Sequence, residues 1–278
     1  MTKVTLDDWT SDAALSVAWQ RVRRNLMRRA RDGSGVVRLE MDPPSQVQAL
    51  QQDLRLGLYR PGKLQRIPKH KNDGGVRWLC IPTQRDRVAQ GALSDALDRR
   101  LDGLMSPASF AYRAGLSVEA AAGRVTMLRL QGWDWAVHLD IETFFDRVPH
   151  QGLIDALRDH TDFQTRSVLG RWLSGFGRWR RGLAQGSPIS PVLANWYLSP
   201  FDHEMNRGQT RVVRYADDIL LLTRSRTQAE AMRARAESAL RGLRLKPNAA
   251  KTRIASFDEG IAFLGLWFTG SGVQPLIR

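Results

Sequence analysis

Two adjacent aspartates, Asp217 and Asp218, break an apolar run that extends from Val212 to Leu222. Burying an unpartnered carboxylate costs several kcal/mol, so the pair belongs where it meets water or a cation. Taken alone, it fits an ordinary acidic hairpin turn and a metal site equally well. Asp140 shifts that balance. It closes a second apolar run, Trp135-Ala136-Val137-His138-Leu139-Asp140, and Asp146 follows after Phe144 and Phe145. Three carboxylates at strand ends can hold two hard cations through oxygen ligands and leave positions for substrate phosphates. Two such ions roughly 4 Å apart activate an attacking hydroxyl and stabilise the leaving oxygen of an in-line phosphoryl displacement. That reaction asks mainly for positioning and charge neutralisation. The five histidines are scattered and Cys80 is the single cysteine, so no Cys/His ligand set competes. His138 and His150 read as packing or hydrogen-bonding residues.

The segments that must position these groups follow from residue type and periodicity. Residues 135–141 are rich in β-branched and aromatic side chains and predict a strand. Alternation puts Val137, Leu139 and Ile141 on one face and Ala136, His138 and Asp140 on the other. A second strand pair flanks Ala216-Asp217-Asp218, and residues 261–268 predict one more strand. Residues 66–82 predict a hairpin with a wide tip at 70–75. Helices are predicted over 14–31, 45–57, 86–104, 150–176 and 189–206. Thr227 and Glu230 form a capping-box pattern that opens another, running to about Leu243. Strands and helices mix without βαβ regularity, repeats or long linkers, which places the chain in the α+β class.

At 278 residues with 42% apolar content, the chain can bury a substantial core. Forty-two Lys and Arg against 28 Asp and Glu leave a formal charge of +14. Such a balance suits a polyanionic partner through counterion release. Arg21, Arg23, Arg24, Arg28, Arg29 and Arg31 punctuate the 14–31 helix as a solvated face or a nucleic-acid-facing one. A lone cysteine excludes an internal disulfide, and the apolar setting of Cys80 is that of a buried thiol. With no apolar leader and no run of about 18 apolar residues, a soluble cytoplasmic protein off the membrane is expected.

In chain order, these segments resemble the motif series of reverse transcriptases, most closely the bacterial group II intron type. Residues 139–146 (Leu-Asp-Ile-Glu-Thr-Phe-Phe-Asp) resemble the first palm motif, 185–191 (Gln-Gly-Ser-Pro-Ile-Ser-Pro) the second and Tyr215-Ala216-Asp217-Asp218 the third. Residues 245–252 and 263–266 are similar to the fourth and fifth. Upstream, Ile67-Pro68-Lys69 with Arg77 and Ile81-Pro82 resembles the fingers hairpin, continued by Asp86-Arg87 and Gln90. Residues 109–115 resemble the next fingers motif, although Ser109-Phe110-Ala111-Tyr112 departs from the family's usual Gly-Phe-Arg-Pro-Gly.

The resemblance implies a right-hand architecture: an N-terminal extension over 1–63, fingers over 64–130, and a palm over 131–278 with a returning helical segment near 150–184. It implies an antiparallel palm sheet with helices packed on one face. It implies RNA-directed DNA polymerase activity with two Mg²⁺ ions, replaceable by Mn²⁺. Asp140 and Asp217 would be the principal ligands, supported by Asp218 and the Ile141 carbonyl. Phe145 matches the aromatic gate beneath the sugar, and Gln185 and Gly186 match the lining of the incoming nucleotide. Lys69 and Arg77 match the cations over the triphosphate, with Lys71 an alternative to Lys69 because the tip is longer. Lys251 matches the lysine that protonates pyrophosphate.

Implied partners are an RNA template, a DNA or RNA primer and dNTPs. Only residues 269–278 follow the stretch that carries the resemblance, so the helical thumb is expected to be missing and to be supplied by a protein partner or an additional domain. Roles implied by such a compact enzyme are spacer acquisition from RNA beside a CRISPR integrase, antiphage defence, or a retroelement. The other class is a non-catalytic, maturase-like RNA-binding protein, for which the full carboxylate set has no physical need.

Overall fold

The computed structural model describes residues 2–31, 43–70 and 74–276. Along the chain run α1 (Leu6–Trp9), α2 (Asp12–Arg31), α3 (Pro43–Arg55), β1 (Gln65–His70), β2 (Val76–Ile81), α4 (Gln84–Leu101) and α5 (Val118–Leu130). Then come β3 (Trp135–Asp140), α6 (Phe144–Arg147), α7 (His150–Ala156), α8 (Phe163–Phe176), α9 (Ser190–Met205), β4 (Arg211–Tyr215) and β5 (Asp218–Thr223). The C-terminal part adds α10 (Arg226–Gly242), β6 (Arg253–Ser256), β7 (Ile261–Phe263), β8 (Leu266–Phe268) and β9 (Val273–Pro275). Helices and antiparallel sheets together confirm the α+β class. Among the described residues, no helix is long and apolar enough to cross a membrane.

The chain divides into two compact units, 1–103 with 149–193, and 104–148 with 194–278. In the first, Trp9, Tyr59 and Trp172 form a buried aromatic cluster. Trp172 Nε1 donates to the Tyr59 hydroxyl, which donates to Asp86. Burial and the adjacent Asp86 push the Tyr59 phenol up. Cys80 is buried, as its apolar run implied.

In the second unit, a four-stranded antiparallel sheet has the order β4-β5-β3-β6. Ala136, Val213, Leu220 and Leu222 pack beneath α5 with Trp133, Phe257, Phe263 and Phe268. Helix α10 packs against β3, β5 and β6. Both faces of the central strands are therefore covered, and β5 is buried from Ile219 to Thr223.

Two sequence expectations are corrected locally. Residues 261–268 are a hairpin rather than one strand, because Leu264 and Gly265 turn with φ of +53° and +75°. An apolar leucine at such a φ hides the turn. Helix α10 is capped by Ser225, which accepts from the Gln228 amide, so the Thr227–Glu230 box lies inside the helix.

Candidate active site

In β3 and β5 the register places Asp140 directly opposite Asp218. Alternation then sends both side chains to the face that also carries His138 and Ala136. Like charges directly opposed destabilise a sheet, so this pairing needs compensation. His138 Nε2 lies 2.5 Å from Asp218 Oδ1, and Asn248 Nδ2 donates to Asp140 Oδ2 at 2.8 Å. The Asn248 amide also donates to the Asp140 carbonyl at 2.8 Å, so residues 245–252 clamp the strand end through main chain and side chain. Lys251 Nζ stands 4.0 Å from Asp140 Oδ2. Beside it, Glu142 bridges Lys246 and Arg147, each at 2.7 Å. Lys246 first, then Arg147, holds the Glu142 carboxyl below the usual range.

Asp217 occupies the two-residue loop between β4 and β5, since Tyr215 pairs with Asp218. The loop's first residue, Ala216, has φ +58°, a left-handed value that hairpins normally give to glycine. Its carbonyl accepts from Arg214 Nη1 at 2.9 Å. That guanidinium is buried, as is Asp202, which it grips with Nε at 2.7 Å and Nη2 at 2.6 Å. Nη1 also donates to Asn195 Oδ1 at 3.0 Å and Nη2 to Ser109 Oγ at 2.8 Å. All of its donors are thus used, and the strained turn rests on a satisfied charge network. Burial pushes the Asp202 carboxyl up, opposed by Arg214.

Phe145 sits on the single-turn helix α6, entered through Thr143 at φ +46°. It is half-buried and meets fully buried Phe144 edge to face at 5.4 Å between centroids. The remaining nucleotide candidates lie in the first unit. Lys69 and Arg77 are register partners across β1 and β2, both exposed. Lys71 falls outside the described residues. Gln185 accepts the Cys80 amide at its carbonyl, 2.6 Å away. Gly186 has φ +105°, and a Cβ there would lie 3.0 Å from Leu79 Cδ1 and 3.1 Å from the Cys80 carbonyl. Only glycine fits that approach.

Among the described residues, no three Asp, Glu, His or Cys side chains form a ready metal cage. The donors brought together are two facing carboxylates, with Asp217 in the adjoining turn and the Ile141 carbonyl next in sequence to Asp140. Magnesium usually binds through one or two carboxylates plus substrate phosphates, keeping water, rather than in an all-protein cage. This donor set fits that habit. Arg214, Asp202, Asn195 and Asn248 were not singled out from sequence. A charge standing in the apolar run between Val213 and Tyr215 was the available signal for Arg214.

Comparison with known proteins finds the reverse transcriptase (RNA-dependent DNA polymerase) family model matching residues 67–268. The chain is 28% identical to protein YkfC of Escherichia coli (strain K12), over 84% of this chain and 74% of that protein. It is also 28% identical to the group II intron-encoded protein LtrA of Lactococcus lactis subsp. cremoris, over 54% of this chain and 26% of LtrA. In a solved partial Cas6-RT-Cas1–Cas2 complex, a 29% identical chain superposes with a TM-score of 0.51 over 86% of this chain and 41% of that one. The match thus spans about a quarter of LtrA and two fifths of the solved chain.

Proposed function

We propose, for a chain that belongs to the reverse transcriptase family and is by that membership a nucleotidyltransferase, that it extends a primer with dNTPs on an RNA template. The observation that carries this reading is the face-to-face register of Asp140 and Asp218 beside the braced Asp217 turn. Reverse transcriptases use divalent metal ions, and Mg²⁺, or Mn²⁺ in its place, would be held by Asp140, Asp217, Asp218 and the Ile141 carbonyl. When bound, such ions lower the pKa of the primer hydroxyl and offset charge on the leaving oxygen.

The primer 3′-oxygen gives its proton to water and bonds to the α-phosphorus as the bond to pyrophosphate breaks. Lys251 delivers a proton to the departing pyrophosphate. Phe145 supports the sugar and rejects a 2′-hydroxyl, while Gln185 and Gly186 line the incoming nucleotide. Lys69 and Arg77 neutralise its triphosphate by charge-assisted hydrogen bonds. These roles follow the motif match. In the same terms, 1–63 acts as an N-terminal extension, 64–130 as fingers and 131–278 as palm, with a returning segment near 150–184.

Similarity to the Cas6-RT-Cas1–Cas2 chain favours service to a CRISPR integrase, with spacers acquired from RNA, over antiphage defence or a retroelement. The enzymatic reading is tested by extending a labelled DNA primer on RNA with Mg²⁺ and dNTPs. Template-directed products are expected. RNA binding without incorporation under any primer or metal would replace it with the non-catalytic RNA-binding reading. Copurification with an integrase tests the pathway, and its absence in the native host would remove that assignment.

A further inference from the structure

The segment Gly177-Arg178-Trp179-Arg180-Arg181-Gly182, in the first unit, is built at a cost that the polymerase reading does not use. The Arg181 amide donates to the Arg178 carbonyl at 3.0 Å, closing a tight turn over Trp179 and Arg180. Both central residues are left-handed, with φ of +56° and +57°. Turns of this form normally take Asn-Gly, and each non-glycine residue held there is strained. Glycines permit the approach of the two arms. A Cβ on Gly177 would lie 1.8 Å from the Arg181 carbonyl oxygen, and Gly182 has φ +106°. The His150 amide donates to the Arg180 carbonyl at 3.0 Å, and its Nε2 lies 2.8 Å from the Gly182 carbonyl, fixing the loop against α7.

This strained turn holds Trp179 at 91% exposure, with Arg178 and Arg180 exposed on either side. A tryptophan so far out of the core and flanked by arginines has the composition of a stacking platform for bases with cations for the backbone. Trp179 and Arg180 also form one wall of a pocket of about 340 Å³, lined further by His150, Ile154, Leu173 and Ser174. That volume is in the small-ligand range. Its polar groups are largely engaged: His150 with Gly182, and the Ser174 hydroxyl with the Arg171 carbonyl at 2.8 Å. Apolar walls with occupied polar groups suit a base plane and give little hydrogen-bond readout.

We propose that the 177–182 loop is a binding site for single-stranded nucleic acid, taking an unpaired base against Trp179 and a neighbouring phosphate on Arg180. The inference rests on the nucleic-acid reading of the chain but is independent of its chemistry. It is tested with the full chain in EDTA, by fluorescence anisotropy of labelled 15-mers of single-stranded RNA, single-stranded DNA and a blunt duplex. Trp179→Ala should weaken single-strand binding roughly tenfold, and Trp179→Phe, which keeps an aromatic face, only about two- to threefold. Arg180→Ala should lower affinity and reduce the salt slope by about one. Duplex affinity should be unchanged in Trp179→Ala. Loss on RNA and DNA alike identifies base stacking, and a larger loss on RNA identifies an added ribose contact. Thermal unfolding of each variant checks the fold, which an exposed side chain should not disturb. Unchanged single-strand affinity in both alanine variants overturns the proposal, also if association with a protein is what they lose. Equal losses on single strand and duplex overturn it as well. Because no metal or dNTP is present, failure here leaves primer extension untouched, and absent polymerisation leaves this result standing.

Discussion

The β4–β5 and β1–β2 hairpins carry opposite charges and are built in opposite ways. Around Asp217–Asp218 the strands are buried, the two-residue turn is strained at Ala216, and a buried Arg214–Asp202 pair holds the turn's carbonyl. Every residue of β1 is exposed, and so are the first three of β2, where Arg77 faces Lys69. The difference matches what the proposed function would ask of each charge. Metal ligands must keep ångström-scale geometry while repelling one another, which requires a scaffold with no slack. Cations that gather a triphosphate act through Coulomb attraction over longer range, and long side chains on an open hairpin can adjust to it.

Substitutions should separate the two regions, and the largest effect belongs to the buried one. Asp140→Asn is expected to lower single-turnover dNTP incorporation by roughly a thousandfold or more, several kcal/mol of lost charge stabilisation. A loss under tenfold would remove Asp140 from the metal set. Next, Arg214→Ala leaves Asp202 buried and unpaired, and should cost about 3–5 kcal/mol in denaturant unfolding. Arg214→Lys cannot reproduce the fork and should recover only part. Unfolding within about 0.5 kcal/mol of the parent would show that the turn does not depend on this pair.

On the open hairpin, Arg77→Ala or Lys69→Ala should leave unfolding within about 0.5 kcal/mol. Each should raise the KM for dNTP roughly tenfold, the size of one charge-assisted hydrogen bond, less so in high salt. A large stability loss would contradict the contrast drawn here. The smallest effect concerns crowded carboxylates on α4 and at its C-terminal end. Burial first, then Asp95 and Asp102, pushes the Asp98 carboxyl on α4 up to about 6. Its folded-state value lies above the unfolded one, so the folded chain binds the extra proton and this group favours folding as pH falls from 7 toward 5. Asp98→Asn should remove that rise and stabilise the chain at pH 7 by on the order of 1 kcal/mol after solvent screening. Parallel pH profiles for the two proteins would refute it.

The paired aspartates and Asp140 were legible because charges standing in apolar runs are conspicuous, and because strand alternation alone places Asp140 beside His138. The helices over 14–31 and 189–206 were legible from helical periodicity. What escaped was set by long-range contact or by unusual backbone. Asn248 reaches Asp140 across more than a hundred residues, and no local period records that hydrogen bond. The turn at Leu264–Gly265 was hidden by a leucine at positive φ, and α5, rich in alanine and lacking an amphipathic stripe, gave no periodic signal. Ser225 was missed because Thr227 and Glu230 offered a competing cap. The bracing of Ala216 by Arg214 was invisible for the same reason as Asn248: its partners come from two other segments, α9 and the stretch holding Ser109.

The chemistry is assigned to Asp217 and Asp218 of the braced hairpin together with Asp140, which faces Asp218 from β3. Single-turnover extension of a DNA primer on RNA, comparing the parent chain with Asp217→Asn plus Asp218→Asn, tests it most directly. Incorporation by the double variant is expected to be abolished while thermal unfolding and RNA affinity stay at parental values. Full incorporation by the folded double variant would contradict it.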